Sequence, residues 1–359
     1  MEFGLIVATK IDDWQLIREA EQLGYDRAWV PDSQMIWSDC YATLALAAQG
    51  TSRIKLGTGV AVPGTRIAPV TAHSIASINQ IAPGRVFLGI GTGHTAMRVM
   101  GMDPMPVPLF RNYLRVVRGL LAGEEVEYTL GGVTRPIRFL HREHRFLNLE
   151  DPIPIYVAAN GPLALRAAGE LGDGLISVGT ENPDVMMHCL EGVRTGASRA
   201  GRALAASYHT TSLTTAVVLR PGERVDSDRV IDEVGSHVAA VFHFYYEIWK
   251  QIGNAAVVPP FLAPKWQEYC EHVERMKTSA EKRYLEIHEG HCTFLVPDER
   301  RFVTAEAIRA TALVGEPDEL VERIRAAAKA GLREVALLPP MASARKVLRD
   351  FAEQVMPRV

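Results

Sequence analysis

The sequence is short of cysteine, of long apolar runs and of net charge, and each shortage narrows what the chain can do. Its 4 cysteines, Cys40, Cys189, Cys270 and Cys292, stand far apart among 359 residues, with no C-x-x-C pair. That spacing argues against a disulfide framework or a cysteine-built zinc site, and leaves the reduced, buried thiols of a cytoplasmic protein. No metal is expected. No apolar run much exceeds about ten residues, too few to span the roughly 30 Å interior of a bilayer. The opening "MEFGLIVATK" lacks a basic start and a long apolar run, so it reads as a first strand rather than a signal peptide. A net charge of −3 gives no electrostatic reason to seek nucleic acid or an acidic membrane. Low-complexity tracts and flexible linkers are also missing, so one domain is expected over residues 1–359.

What is present is a repeating plan. "LIREAEQLGYDRAWVPDS" (16–33) and "LVERIRAAAKAGLREVALLPP" (320–340) each run from an amphipathic helix through a glycine stop into an apolar strand and a proline. "ALRAAGELGDGLISVG" (164–179) repeats it, and "SIASINQIAPGRVFLGIGTG" (74–93) does so more loosely. Near-continuous apolar strands between helices belong to a parallel sheet covered on both faces. Strands are expected at 2–8, 27–31, 54–63, 86–91, 153–158, 174–178, 210–219 and 334–338. Eight such units are the tally of a (β/α)8 TIM barrel, whereas a doubly wound sheet usually has fewer. Two stretches exceed a minimal barrel. Residues 125–150 read as a hairpin turned at Gly131-Gly132, inserted before the fifth strand. Residues 226–310 read as a mostly helical insertion after the seventh strand, with helical stretches at 237–253 and 265–290 split by "VVPPFLAP".

In a barrel, chemistry sits where strands end and βα loops begin. The ends here are "VPDS", "GTGVAVPG", "GTGHT", "AANGP", "VGTEN" and "LLPP". Gly91, Gly93 and Ala96 also fit the looser dinucleotide-binding pattern G-x-G-x-x-A. That pattern needs an acid at a second strand end about 20 residues on. Asp103 comes too early, and Glu124 and Glu125 close a helix, so the glycines read as the fourth barrel strand opening onto a ligand. A phosphate site fits better at "AANGPLALRAAGELGDG" (158–174), where Asn160 or Gly161 caps a helix that begins with Pro162.

At "AEQLGYDRAWVPDS", "IKLGTGVAVPGTRIAPVTAHSIASINQIAPGRVFLGIGTG", "IPIYVAANGPLALRAAGELGDGLISVG" and "LVGEPDELVERIRAAAKAGLREVAL", the chain resembles the bacterial luciferase-like superfamily of flavin- and deazaflavin-dependent oxidoreductases. Its wording is nearest to methylene-tetrahydromethanopterin reductases, over roughly residues 1–120, 150–200 and 310–345. The resemblance implies a tricyclic redox ring held at the strand ends. Gly59 and Val60 would form a bulge with a cis peptide behind the ring, and Asp32, Thr92, Gly93, Ala159, Asn160 and Gly161 would complete the cofactor shell. Two chemistries share that scaffold. Coenzyme F420 carries hydride to or from a small organic substrate, or reduced FMN from a partner flavin reductase activates oxygen in a monooxygenase. A cofactor-free binding protein on the same barrel is the alternative of another class. Homodimers through the second and third helices are usual in the resembled family.

Three catalytic candidates follow from residue type and position. His94 follows a strand end and titrates ordinarily in the range useful for proton transfer. Asp32 polarises a ring nitrogen or relays a proton, and His243 lies in the insertion beside Tyr245, Tyr246 and Trp249, which line a substrate pocket or pack as core. Arg66 and Arg98 read as solvated loop cations near the mouth, and His73 as a helix-face residue without a role.

Overall fold

The computed structural model describes residues 1–359. Eight strands close into a parallel barrel. They are β1 (Glu2–Ile6), β2 (Arg27–Val30), β3 (Lys55–Ala61), β4 (Val86–Ile90), β5 (Ile155–Ala158), β6 (Gly174–Val178), β7 (His209–Thr214) and β8 (Glu334–Leu337). The ring shuts where β8 lies beside β1, with Glu2 opposite Glu334 and Leu5 opposite Leu337. These strands lack polar alternation because helices cover the outside while side chains fill the inside. Trp29, Phe87 and Tyr156 pack across the interior, with ring centroids 4.5 Å and 5.4 Å apart along the series. A buried carboxylate sits at the closing seam, where Glu334 accepts hydrogen bonds from Trp29 Nε1 at 2.8 Å and Thr211 Oγ1 at 2.9 Å. Burial opposes its charge, but His209, Arg27 and Trp29 outweigh burial and hold its pKa below the ordinary carboxylate value.

The hairpin before β5 pairs Val126–Leu130 with Val133–Ile137 about the turn at Gly131-Gly132, as its sequence predicts. The seventh strand differs from expectation. The run 210–219 divides at Thr215: its first part joins the barrel, and Ala216–Val218 pairs outside it with Leu313–Gly315. Both halves are buried and both are rich in β-branched residues, so the run carries no mark of where one sheet ends and the next begins.

That small outer sheet holds both ends of the insertion together. From it rises the long helix Asp228–Ile252, capped by the Ser227 side chain and ended at Gly253. Helix Ala263–Glu274 packs on it, and the second core gathers Phe242, Tyr269 and Phe302. The stretch 265–290 is not one helix. It stops at Glu274, and the Glu286 carboxylate accepts from the amides of Lys277 and Thr278, turning the chain back.

Candidate active site

The carboxyl ends of the strands form a rim made mostly of backbone. Between Thr58 and Ala61 the register against β4 shifts, and the Gly59–Val60 peptide is cis. A side chain at Gly59 would place its Cβ 2.5 Å from Trp29 Cβ and 3.0 Å from the Trp29 carbonyl carbon, so only glycine fits against that strand. Val62 N donates to Asp32 Oδ2 at 3.4 Å, tying the loop after β3 to the end of β2. Asp32 is buried, and Arg66 Nη1 stands 2.5 Å from both its oxygens. Arg66 also reaches Asp39 at 2.9 Å and lies 4.8 Å from the Tyr41 ring. Arg66 is therefore not the solvated cation expected, because a buried carboxylate recruits it. Arg98 is likewise engaged, with Asp103 at 3.0 Å and Gln251 at 2.7 Å. Asp32 is a strut between strand ends, and its ion pair leaves it poorly placed to relay a proton.

At the end of β4, Gly91 and Thr92 lead to Gly93, whose φ of 88° turns the chain into the short helix His94–Arg98. A Cβ at Gly93 would fall 2.4 Å from Val62 Cγ1, so this turn and the β3 loop interlock. His94 packs 4.7 Å from the Phe244 ring, and its Nδ1 is 3.7 Å from Glu247 Oε2. Burial pushes its pKa from 6.5 down to about 4, with Glu247 only partly opposing. The ring is neutral at pH 7, which corrects the expectation of titration near neutrality: desolvation outweighs the one nearby carboxylate. His94 Nε2 is buried without a hydrogen-bond partner.

At the end of β5, Ala159 N donates to Ile176 O at 3.1 Å, and Asn160 Oδ1 accepts from Ser177 Oγ at 2.5 Å. Gly161 then caps the helix Pro162–Leu171, with proline in its first turn. Nothing lies within 4 Å of a Cβ built at Gly161, so the space in front of that helix start is open. The amides of Leu163 and Ala164 belong to the unpaired first turn and sit at the positive end of the helix dipole. A neighbouring carboxyl, Glu181, is buried beyond the end of β6, accepting from Ser212 Oγ at 2.6 Å. Burial raises its pKa above the ordinary value of 4.5 despite that bond.

The insertion covers this rim. Cys292 packs on the interior cluster of Trp29, Phe87 and Tyr156. Thr293 fastens the same loop, accepting from Trp37 Nε1 at 2.9 Å and, through its carbonyl, from Met341 N at 3.0 Å. His243 is buried on the long helix with Nε2 2.6 Å from Glu299 Oε1. The aromatic trio beside it does not line the mouth. Tyr246 belongs to the second core, Tyr245 and Trp249 pack against that core, and Trp249 meets Trp266 at 6.0 Å. A helix turns about 100° per residue, so the face carrying Phe244 and Glu247 leaves Tyr246 and Trp249 to the other side. The residues that do reach His94, Phe244 and Glu247, escaped the sequence reading, as did His288, His291 and Glu299. Their visible signals were the spacing of His243 and Glu247 by four and the "HEGHC" run at 288–292.

A closed parallel barrel, a cis bulge near the end of its third strand and small residues at the ends of its fourth and fifth strands define a luciferase-like oxidoreductase. The chain belongs to the family described as luciferase-like monooxygenase, which it matches over residues 12–334. It is 38% identical over 185 residues to 5,10-methylenetetrahydromethanopterin reductase of Methanolobus tindarius, a match spanning 51% of this chain and about half (54%) of that relative. The reductase of the same name from Archaeoglobus fulgidus aligns over 100% of both chains at 26% identity. Among solved structures, the coenzyme F420 dependent tetrahydromethanopterin reductase of Methanopyrus kandleri superposes with a TM-score of 0.70 at 23% identity, covering 99% of this chain and 98% of its own. The FMN complex of the 3,6-diketocamphane monooxygenase oxygenating constituent from Pseudomonas putida gives 0.64 at 18% identity, covering 100% and 99%. No helix is long and apolar enough to cross a membrane.

Proposed function

We propose that the protein transfers a hydride between coenzyme F420 and a small organic substrate enclosed between the rim and the insertion. The observation that carries this reading is the likeness to 5,10-methylenetetrahydromethanopterin reductase along the whole of both chains. The rim suits a flat tricyclic ring. Gly59-Val60 makes the floor, and Thr92 and Gly93 flank it. Ala159, Asn160 and Gly161 lead to a helix start with room for a phosphate. The bound deazaflavin supplies or accepts the hydride; the protein's part is to position and to exclude water. Asp32 and Arg66 brace the loop that carries the floor. Neutral His94 orients the substrate, its unpartnered Nε2 serving as a hydrogen-bonding group at the mouth. His243 supports the insertion from behind through Glu299.

Reduced FMN delivered by a partner flavin reductase is the second reading, favoured by the structural likeness to the FMN-bound monooxygenase. Titration separates the two. Saturable quenching of F420 fluorescence at one equivalent supports the first, whereas oxygen uptake with reduced FMN and no F420 binding supports the second. Absence of any response to either cofactor would leave a binding protein on an enzyme's barrel. We also place the protein in the cytoplasm, on its four free, buried cysteines. A homodimer through the second and third helices, Cys40–Gly50 and Ala68–Ile81, is proposed on the exposed apolar side chains Leu46, Val70 and Ile81 carried there.

A further inference from the structure

Three imidazoles from two distant parts of the insertion converge above the barrel mouth. His243 comes from the long helix, and His288 and His291 flank Gly290 in the loop that follows the turn Tyr284–Ile287. One ring nitrogen of each lies within 4.8 Å of those of the other two. The rings meet edge to face: His243 and His288 have centroids 5.7 Å apart at 89°, and His288 and His291 have centroids 5.6 Å apart at 73°. Two of the three are backed by carboxylates. His243 Nε2 is 2.6 Å from Glu299 Oε1, and His288 Nε2 is 2.9 Å from Glu247 Oε1. The Nδ1 atoms of His243, His288 and His291 are all buried and have no hydrogen-bond partner.

A buried polar atom left unpaired costs about 1–3 kcal/mol, so three on neighbouring rings call for a common partner. The carboxylates indicate which partner. A carboxylate on Nε2 keeps the proton there and leaves a lone pair on Nδ1, the arrangement found behind metal-ligating histidines. We propose that His243, His288 and His291 bind one divalent transition-metal ion, of the class that prefers imidazole nitrogen, with zinc as the physiological type. Zinc–nitrogen bonds of about 2.0–2.1 Å in a tetrahedron put the nitrogens roughly 3.3 Å apart, so the 288–291 loop closes slightly on loading. Three ligands leave a fourth position for water or a substrate oxygen, as in catalytic rather than structural zinc sites. Glu247 Oε2, buried and unpartnered, lies between this site and His94. The absence of cysteine pairs in the sequence bears on cysteine-ligated zinc only and does not touch a site made of histidines.

A second group, His141, Glu143 and His144, has comparable spacing but is fully exposed on the loop after the hairpin. It lacks buried orphan nitrogens, and its one carboxylate, Glu143, is exposed and 3.7 Å from His144 Nε2, so it serves as the control. The full-length protein, stripped with a chelator and without cofactor, is titrated with Co2+ while visible ligand-field absorption is recorded; Zn2+ is then added as competitor. One equivalent of Co2+ with strong visible bands, displaced by Zn2+ and kept by the His141→Ala/His144→Ala variant, is expected. His288→Gln and His291→Gln should each weaken binding at least a hundredfold, and Glu299→Gln by about ten- to a hundredfold. Zinc should raise the melting temperature of the wild type and leave that of His291→Gln unmoved, with both metal-free forms melting alike. Failure of the wild type to take up either ion, or loss of uptake only in the His141→Ala/His144→Ala variant, overturns the site. Neither result depends on which redox cofactor the rim accepts.

Discussion

The rim and the insertion that covers it are built from opposite materials. The rim uses backbone, glycine and small side chains, and its one prominent charge cluster, Asp32 with Arg66 and Asp39, is satisfied within itself. The insertion presents imidazoles, carboxylates and aromatic rings whose polar atoms are in part left unpaired. A flat, chemically uniform ring is recognised by shape, and a rim of fixed strand ends provides shape without specificity for a substrate. A small substrate is recognised by placed polar groups, and these ride on an element with its own core, free to vary without disturbing the barrel.

Substitutions that separate the two regions test this contrast. The largest effect is expected at Phe242, which is 1% exposed in the insertion's core. Phe242→Ala should destabilise the insertion by about 3–5 kcal/mol and abolish turnover. The barrel should still melt as a barrel, and a single merged transition with lost cofactor binding would erase the distinction. Next, Gly161→Asp adds an anion in open space before the helix Pro162–Leu171 and should weaken cofactor binding about a hundredfold, or about 2.7 kcal/mol. Unchanged affinity by fluorescence titration would move the phosphate elsewhere. His94→Ala should lower turnover at least about tenfold, near 1.4 kcal/mol, with cofactor affinity little changed. Parallel loss of both would make His94 part of the rim.

The smallest effect concerns pH. Because burial raises the Glu181 carboxyl above 4.5, its folded form favours the proton. That contribution is complete below the ordinary carboxylate pKa and is lost as pH rises through the raised value, so the ionised group is a liability at neutrality. Glu181→Gln should therefore stabilise the protein at pH 7, a small gain that a thermal melt reads as a raised melting temperature. Melts at pH 4 and pH 7 check the sign: an advantage larger at pH 4 would contradict it.

The barrel was readable because each strand–helix unit announces itself within about twenty residues: an amphipathic helix, a glycine stop and an apolar strand. The hairpin turn at Gly131-Gly132 and the cap at Gly161 were legible for the same reason, since turn and cap chemistry is local. The split at Thr215 was not, because the threonine-rich half and the apolar half are both buried strand and no turn residue stands between them. The insertion's side-chain assignments fared worst. Tyr245, Tyr246 and Trp249 read as either pocket or core because aromatic composition says nothing of which way a helix is rolled. Phe244 and Glu247 were passed over although they stand among those same residues.

By itself, then, the order of residues determined the strand count, the closing of the ring and the small-residue character of its mouth, since these follow from periodicities and turn preferences that act over a few residues. Only the tertiary structure decided that His94 is neutral, that Asp32 belongs to Arg66, and that His243 meets His288 and His291. Those facts depend on burial and on distances between groups far apart in the chain, and both are set by packing rather than by neighbours in sequence.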